Sequence, residues 1–201
     1  MKAFSPVALF ESVNASTYMS VLMSNSSKKD THVHKAFYCE RCGGPLTWSL
    51  IEGSEHQTCA NCGWVVYIDP KVAAGVILAL NGELVLLKRG IPPSVGKWVF
   101  PGGYVDAGEP TEVAAIREAR EEVGLEVEID ELIGVYSYHG ERVILVVYSG
   151  NAVGGSLEGN FECLDLKTFP LDEIPWEDLA FESTHEAVKD WLKRIETETV
   201  S

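Results

Sequence analysis

The chain has 201 residues, of which 46% are hydrophobic, and its 30 acidic against 16 basic side chains give a formal net charge of −14. That is enough apolar material for one medium domain, or one domain with a small appended module. The acidic excess argues against non-specific binding to nucleic acid or to anionic membranes, and no apolar run approaches the ~20 residues of a membrane span.

Residues 1–35 are Ser-rich, hold two acids (Glu11 and Asp30) and no arginine, and sustain no helical or strand period. They are expected to be a disordered tail, or an extension ahead of a start at Met19 or Met23. A Ser-rich, acid-poor leader is also the composition of an organelle transit peptide, a reading that the lack of arginine weakens. Ser, Asn and Glu interrupt the apolar stretches, unlike a secretory signal. The expected location is cytoplasmic, or an organelle if residues 1–35 are a targeting segment.

Residues 36–69 carry Cys39-x-x-Cys42-Gly and Cys59-x-x-Cys62-Gly, separated by sixteen residues. Two such pairs at this spacing are the pattern of a zinc site rather than of a disulfide scaffold, and they suit a reducing compartment. Four thiolates favour tetrahedral Zn²⁺ in a closed structural site, so a small zinc ribbon is expected, held by Cys39, Cys42, Cys59 and Cys62. Nucleic-acid binding by the ribbon would need basic residues. This segment has Arg41 alone against Glu40, Glu52, Glu55 and Asp69, so a nucleic-acid partner is not expected.

Asp69-Pro70 marks the start of the main domain, expected over residues 70–197. Val72–Leu80 and Glu83–Arg89 are apolar strands joined by Asn81-Gly82, a strong hairpin signal. Residues 90–103 look like loop. Residues 127–136 and 142–149 are strand-like, and a Gly-rich link over 153–159 leads to a further strand at Cys163–Phe169. Thr184–Thr197 has the period of an amphipathic helix, with Ala187, Val188, Trp191, Leu192 and Ile195 on one side.

Between these strands lies GYVDAGEPTEVAAIREAREEVGL, Gly103–Leu125. Pro110 suits the first turn of a helix and Gly124 the left-handed position past its end. Laid out at ~100° per residue, Val113, Ile116, Ala119 and Val123 fall on one side, expected to pack on a sheet, with Glu118, Glu121 and Glu122 roughly opposite. Three acids at i, i+3 and i+4 share a face and repel one another unless a cation sits among them, and a divalent metal is the simplest answer. Residues 109–131 hold nine acids against Arg117 and Arg120, half of the chain's net charge. The alternative is an ordinary amphipathic helix with a solvated acidic face, which does not explain Gly102-Gly103 or the position of Glu109.

The fixed residues match the signature of the Nudix hydrolases: Gly103, five residues, Glu109, seven residues, then Arg117-Glu118-Ala119-x-Glu121-Glu122-x-Gly124-Leu125. With the four-cysteine module ahead of it, the chain resembles the branch of that family that includes pyrophosphatases acting on NADH, ADP-ribose or FAD. The resemblance implies an α/β class fold, a Nudix-type α/β/α sandwich with a small N-terminal zinc ribbon. It implies hydrolysis of a pyrophosphate bond in a nucleoside diphosphate linked to another group, with Mg²⁺ or Mn²⁺ as catalytic cofactor and Zn²⁺ as structural one. Glu118 and Glu122 would be the main ligands, Glu121 a further ligand or the base, and Arg117 an ion-paired residue that orients the glutamates. Glu162 stands where many members place one more acid. Arg89, Gly102, Gly103 and Tyr138 are candidate substrate contacts, and Lys97 is a second cation beside the loop. Homodimerisation is left open. The Ser-Gln-Pro-Trp array of NADH pyrophosphatases is absent after the signature, which counts against NADH, and Glu141 stands where ADP-ribose enzymes of another branch carry a proline, so the leaving group stays open among ADP-ribose, FAD, NADH and others. A different class of function, a nucleotide sensor that binds without turnover, has no need of the complete Arg-Glu-x-x-Glu-Glu set.

Overall fold

The computed structural model describes residues 36–199. The tail over residues 1–35 lies outside the described residues. The chain falls into two compact units, one ending at Val66 and the other beginning at Tyr67.

The first unit is a three-stranded antiparallel sheet in the order β1 (Leu46–Ile51), β2 (Ser54–Cys59), β3 (Val65–Val66). Glu52 and Gly53 both take positive φ, +49° and +87°, at the β1–β2 turn. That is the backbone sense a two-residue hairpin needs to match the strand twist.

The second unit is built on a mixed sheet whose continuous path runs β10 (Cys163–Phe169), β5 (Glu83–Arg89), β4 (Lys71–Leu80), β9 (Val143–Gly155), β8 (Leu125–Tyr136). β4 is the hub. Along one edge it pairs in parallel with β9, Lys71 to Val143 through Ala79 to Asn151. On the other edge its last residues pair with β5, and Ala73–Gly75 pair with the short strand β7 (Gly102–Tyr104). The expected Asn81-Gly82 hairpin forms, with φ of +54° and +83°. Residues 90–103, expected as loop, contain β7 and a second short strand, β6 (Trp98–Val99), on β5. The Gly-rich link also begins later than its composition implies, because β9 runs on to Gly155 against Leu125. Long-range pairing overrides the low strand propensity of glycine in both places.

Ala73–Leu80 of β4 and Leu84–Leu87 of β5 are apolar throughout because both of their faces are covered. Ala74, Val76, Leu78, Val85 and Leu87 pack with Ala114, Ala115, Ala119 and Val123 of helix α1 (Thr111–Val123). Ile77, Leu84 and Leu86 point the other way, into a cluster with Ala187, Val188 and Trp191 of helix α2 (Glu182–Thr199). Helix, sheet and helix make the three-layer α/β/α sandwich. Trp98 belongs to the α2 side, buried and edge-on to Phe169 at 5.0 Å.

Helix α1 faces the sheet differently from its helical-wheel reading. Ala114, Ala115, Ala119 and Val123 are buried, whereas Val113 is 50% exposed. Glu118 and Glu122 therefore lie within the packing stripe rather than opposite it. Methyl side chains on this stripe let the helix approach the sheet closely, leaving two slots that the longer acidic side chains occupy.

Candidate active site and zinc module

Pro110 precedes α1 and makes no side-chain cap to it. The helix start is held instead by Thr111, whose hydroxyl lies 2.7 Å from the hydroxyl of buried Tyr148 on β9. Gly124 ends the helix in the left-handed conformation, φ +72°. The C-terminal carbonyls are then met from the following link: Glu158 N–H donates to Val123 O at 3.0 Å and Ser156 N–H to Gly124 O at 3.2 Å.

The two part-buried acids meet strand β7. Gly102 N–H donates to Glu122 Oε2 at 2.8 Å. Gly103 leaves room for Glu118, since a Cβ at position 103 would stand within 2.7 Å of both of its carboxylate oxygens. Arg117 binds the acids on its flank. It donates to Glu109 through Nε and Nη2, both at 3.0 Å, and to Glu118 Oε1 at 2.7 Å. It reaches Tyr104 O at 3.0 Å and, more loosely, Glu121 Oε2 at 3.4 Å. Glu109 also accepts from Asp106 N–H at 3.0 Å, so it ties the loop to the helix. Sequence reasoning did not find the anchors Tyr104 O and Tyr148, because neither is part of a short-range pattern.

These contacts set the electrostatics. Hydrogen bonds from Arg117 hold Glu109 below the usual carboxylate range and raise the guanidinium's own pKa. Burial raises Glu118, against the pull of Arg117. Burial pushes Glu122 up to about 7; the Gly102 N–H opposes this, Glu118 and Glu162 add to it, and the charge of Arg89 opposes it. Glu162 and Arg89 thus lie within electrostatic reach of Glu122. Glu162 is placed by its backbone: its carbonyl accepts from Gly90 N–H at 2.6 Å, at the end of β5. Arg89 stands beside Gly90, with Nε bonded to Pro93 O at 2.8 Å and its guanidinium 5.1 Å from the Phe181 ring centroid.

Two other candidates are occupied elsewhere. Lys97 pairs with Asp178 at 2.8 Å. Tyr138 packs against the α2-side cluster and donates to Glu186 Oε2 at 2.6 Å, so it is not brought to the glutamates of α1.

The acid site suits a hard cation. Mg²⁺ needs only one or two carboxylates and keeps several waters. Glu118 and Glu122 are oxygen donors whose mutual repulsion Arg117 relieves on one side only. Glu122 also gives a pH signature. Its pKa in the folded protein, about 7, lies above the ordinary 4.5. The folded state therefore holds this proton more tightly than the unfolded state does. The group stabilises the metal-free protein fully at low pH, and that contribution is lost as pH rises from about 4.5 through 7. A divalent ion held at Glu122 would compete with the same proton, so any rise in Tm on adding Mn²⁺ is expected to be small at pH 5.5 and several-fold larger at pH 8. Equal shifts at both pH values would contradict the placement of the ion at Glu122.

In the first unit the four cysteine sulfurs all lie within 4.8 Å of one another, the one group of three or more metal-ligating side chains gathered so closely among the described residues. Cys39 Sγ is 3.7 Å from Cys62 Sγ, and Cys42 Sγ is 3.5 Å from Cys59 Sγ. A ZnS₄ tetrahedron with bonds of ~2.3 Å has edges of about 3.8 Å, so the sulfurs fit zinc. The two knuckles repeat one another. Gly43 N–H donates to Cys39 O at 2.8 Å and Gly63 N–H to Cys59 O at 2.9 Å. Both glycines take φ near +70°, which a side chain disfavours. The N–H groups of Cys62 and, less strongly, Asn61 help lower the Cys59 thiol to about 7. Gly44 N–H favours the Cys42 thiolate too, but the sulfurs of Cys62 and Cys59 outweigh it and push Cys42 up to about 12. Successive thiolates at this distance need a cation between them.

The family model for the NUDIX domain matches residues 69–192, which include the helix, its carboxylates and the Gly-Gly strand. The chain belongs to the Nudix family. Among curated relatives, an ADP-ribose pyrophosphatase of Methanocaldococcus jannaschii is 34% identical over 133 residues, 64% of this chain and 76% of that protein. An NAD-capped RNA hydrolase, NudC, of Pseudomonas aeruginosa is 29% identical over 143 residues, 69% of this chain and 49% of that protein. The chain thus spans about half the length of NudC. Among solved structures, a NUDIX hydrolase from Nitrosomonas europaea superposes with a TM-score of 0.73 at 32% identity, covering 77% of this chain and 89% of that one. With these relatives the chain is placed as a Nudix pyrophosphohydrolase. No helix among the described residues is long and apolar enough to cross a membrane.

Proposed function

We propose that the protein hydrolyses the pyrophosphate bond of a nucleoside diphosphate linked to a second group, with ADP-ribose as the leading substrate, and that it does so with Mg²⁺ or Mn²⁺ held by Glu118 and Glu122. The observation that carries this reading is the pair of part-buried carboxylates set against Gly102 and Gly103, one hydrogen-bonded to the strand and the other to Arg117. Bound there, the ion supplies counter-charge to the diphosphate and acidifies a water.

The chain's own groups supply the rest. Arg117 fixes Glu118 and the loop at Tyr104, so the carboxylate is positioned before substrate arrives. Glu121 is more exposed than Glu118 and is held only by the long contact to Arg117. It is the acid best able to turn and take the proton of the attacking water, with Glu162 as a second acid at the same site. Arg89, whose charge reaches Glu122, is the cation assigned here to a phosphate oxygen.

The 34% identical relative supports ADP-ribose, and the NudC relatives support a dinucleotide-like substrate. The absence of the Ser-Gln-Pro-Trp array counts against NADH, and with Glu141 in place of the proline of another ADP-ribose branch the preference for ADP-ribose rests on the relative. A substrate panel tests the order. ADP-ribose, FAD, NADH and diadenosine polyphosphates are assayed with Mg²⁺ or Mn²⁺, and ADP-ribose is expected to show the highest kcat/KM and to yield AMP and ribose 5-phosphate. Products that retain an intact diphosphate would overturn the assigned bond.

A further inference from the structure

Phe161 is 91% exposed, the most exposed large apolar side chain among the described residues. A single surface phenylalanine needs no explanation where the chain is free to bury it. Here the backbone is pinned on both sides. Upstream, Ser156 and Glu158 are tied to the end of α1, as described above. Downstream, Glu162 N–H donates to Asn160 Oδ1 at 2.9 Å, Cys163 N–H to Asn160 O at 3.1 Å, and Gly90 N–H to Glu162 O at 2.6 Å. The approach at Gly90 is close enough that a Cβ there would stand 2.7 Å from Glu162 O. This turn holds the Phe161 ring out in solvent.

Leu164, 61% exposed, and Ile91, 37% exposed, adjoin the same Gly90–Glu162 contact. The turn adjoins the acid site: Glu158 N–H is bonded at 3.0 Å to Val123 O, next to Glu122, Glu162 follows Phe161, Arg89 precedes Gly90, and the charges of Glu162 and Arg89 reach Glu122. A diphosphate lying at Glu118, Glu122 and Arg89 would bring a substituent within reach of this turn. Of the parts of a nucleotide, only the base offers a flat apolar face that a phenyl ring can cover.

We propose that Phe161 is a specificity-determining residue whose ring stacks on the nucleobase of the substrate while the diphosphate occupies the neighbouring carboxylate site. The inference rests on the function proposed above. Kinetics of the wild type, Phe161→Ala and Phe161→Tyr with ADP-ribose and with phosphoribosyl diphosphate, which lacks an aromatic ring, test it. Phe161→Ala should lower the ratio of kcat/KM for ADP-ribose over the ring-free diphosphate by about tenfold, mainly through KM, and Phe161→Tyr should restore it. A ratio within about twofold of wild type for Phe161→Ala, or no rescue by tyrosine, would overturn the proposal. AMP binding, measured by calorimetry without turnover, keeps this separate from the activity itself. AMP should bind the wild type about tenfold more tightly than Phe161→Ala. AMP that binds both equally, or neither, overturns the stack, whereas failure of the wild type to hydrolyse any diphosphate overturns the proposed function.

Discussion

Replacing Glu122 with glutamine is expected to move activity and stability in opposite directions. The amide keeps an oxygen to accept the Gly102 N–H and fills the same slot, so the fold is preserved. The charge that would hold the divalent ion is gone. Losing several kcal/mol of electrostatic stabilisation in the transition state corresponds to a fall in kcat/KM on the order of 10³-fold. In the metal-free protein the sign reverses. Burial makes the ionised Glu122 unfavourable, with its pKa pushed to about 7, and glutamine removes that cost. At pH 8 the metal-free variant should be more stable than wild type by roughly 1–3 kcal/mol, and the gain should vanish below pH 5. Chemical denaturation at both pH values, beside an activity assay, checks the pair of effects. A variant that is inactive because it is unfolded would contradict the account, as would one that keeps most of its activity.

The second large effect is expected in the first unit. Its short strands bury little apolar surface, and a structural zinc in such a module contributes about 10–16 kcal/mol of apparent binding free energy at neutral pH, which is folding free energy. Elemental analysis should find one zinc per chain in the wild type after exhaustive removal of Mg²⁺. Cys59→Ser removes a buried thiol of the cluster and one corner of the tetrahedron. It should release the zinc and abolish hydrogen-exchange protection over Leu46–Ile51 and Ser54–Cys59, the two paired strands of the hairpin. A zinc-free wild type with full protection of this hairpin would refute the zinc ribbon.

Much of this arrangement is legible in the amino-acid order. The signature from Gly103 to Leu125, the two Cys-x-x-Cys-Gly knuckles and the Asn81-Gly82 turn are local patterns, each with a local physical cause. The packing face of α1 is not so readable. Ranking side chains by hydrophobicity selects Val113 and Ile116 over Ala114 and Ala115. The structure prefers the alanines because close approach to the sheet matters more than the area each residue buries. The short strands at Trp98–Val99 and Gly102–Tyr104 sit among glycines and prolines, and their partners on β5 and β4 are remote in sequence. Glu162 was a candidate by its position after the Gly-rich link, but its place near Glu122 depends on the hydrogen bond from Gly90, which nothing in the local sequence announces. Tyr138 shows the converse. It follows the signature closely in the chain, yet its hydroxyl is committed to Glu186 of the opposite helix layer.

The signature glutamates and the glycines beneath them work as one unit. Gly102 and Gly103 admit the carboxylates, Arg117 and Glu109 lock the loop against α1, and the alanine stripe brings that helix down onto β4. This unit is expected to hydrolyse a diphosphate only when a divalent ion completes it. The most direct measurement is turnover of ADP-ribose by zinc-replete protein dialysed free of Mg²⁺ and Mn²⁺, before and after Mn²⁺ is returned. No detectable AMP is expected before addition and full turnover after it. AMP production without a divalent ion, or none with it on ADP-ribose or any other nucleoside diphosphate derivative, would contradict this expectation.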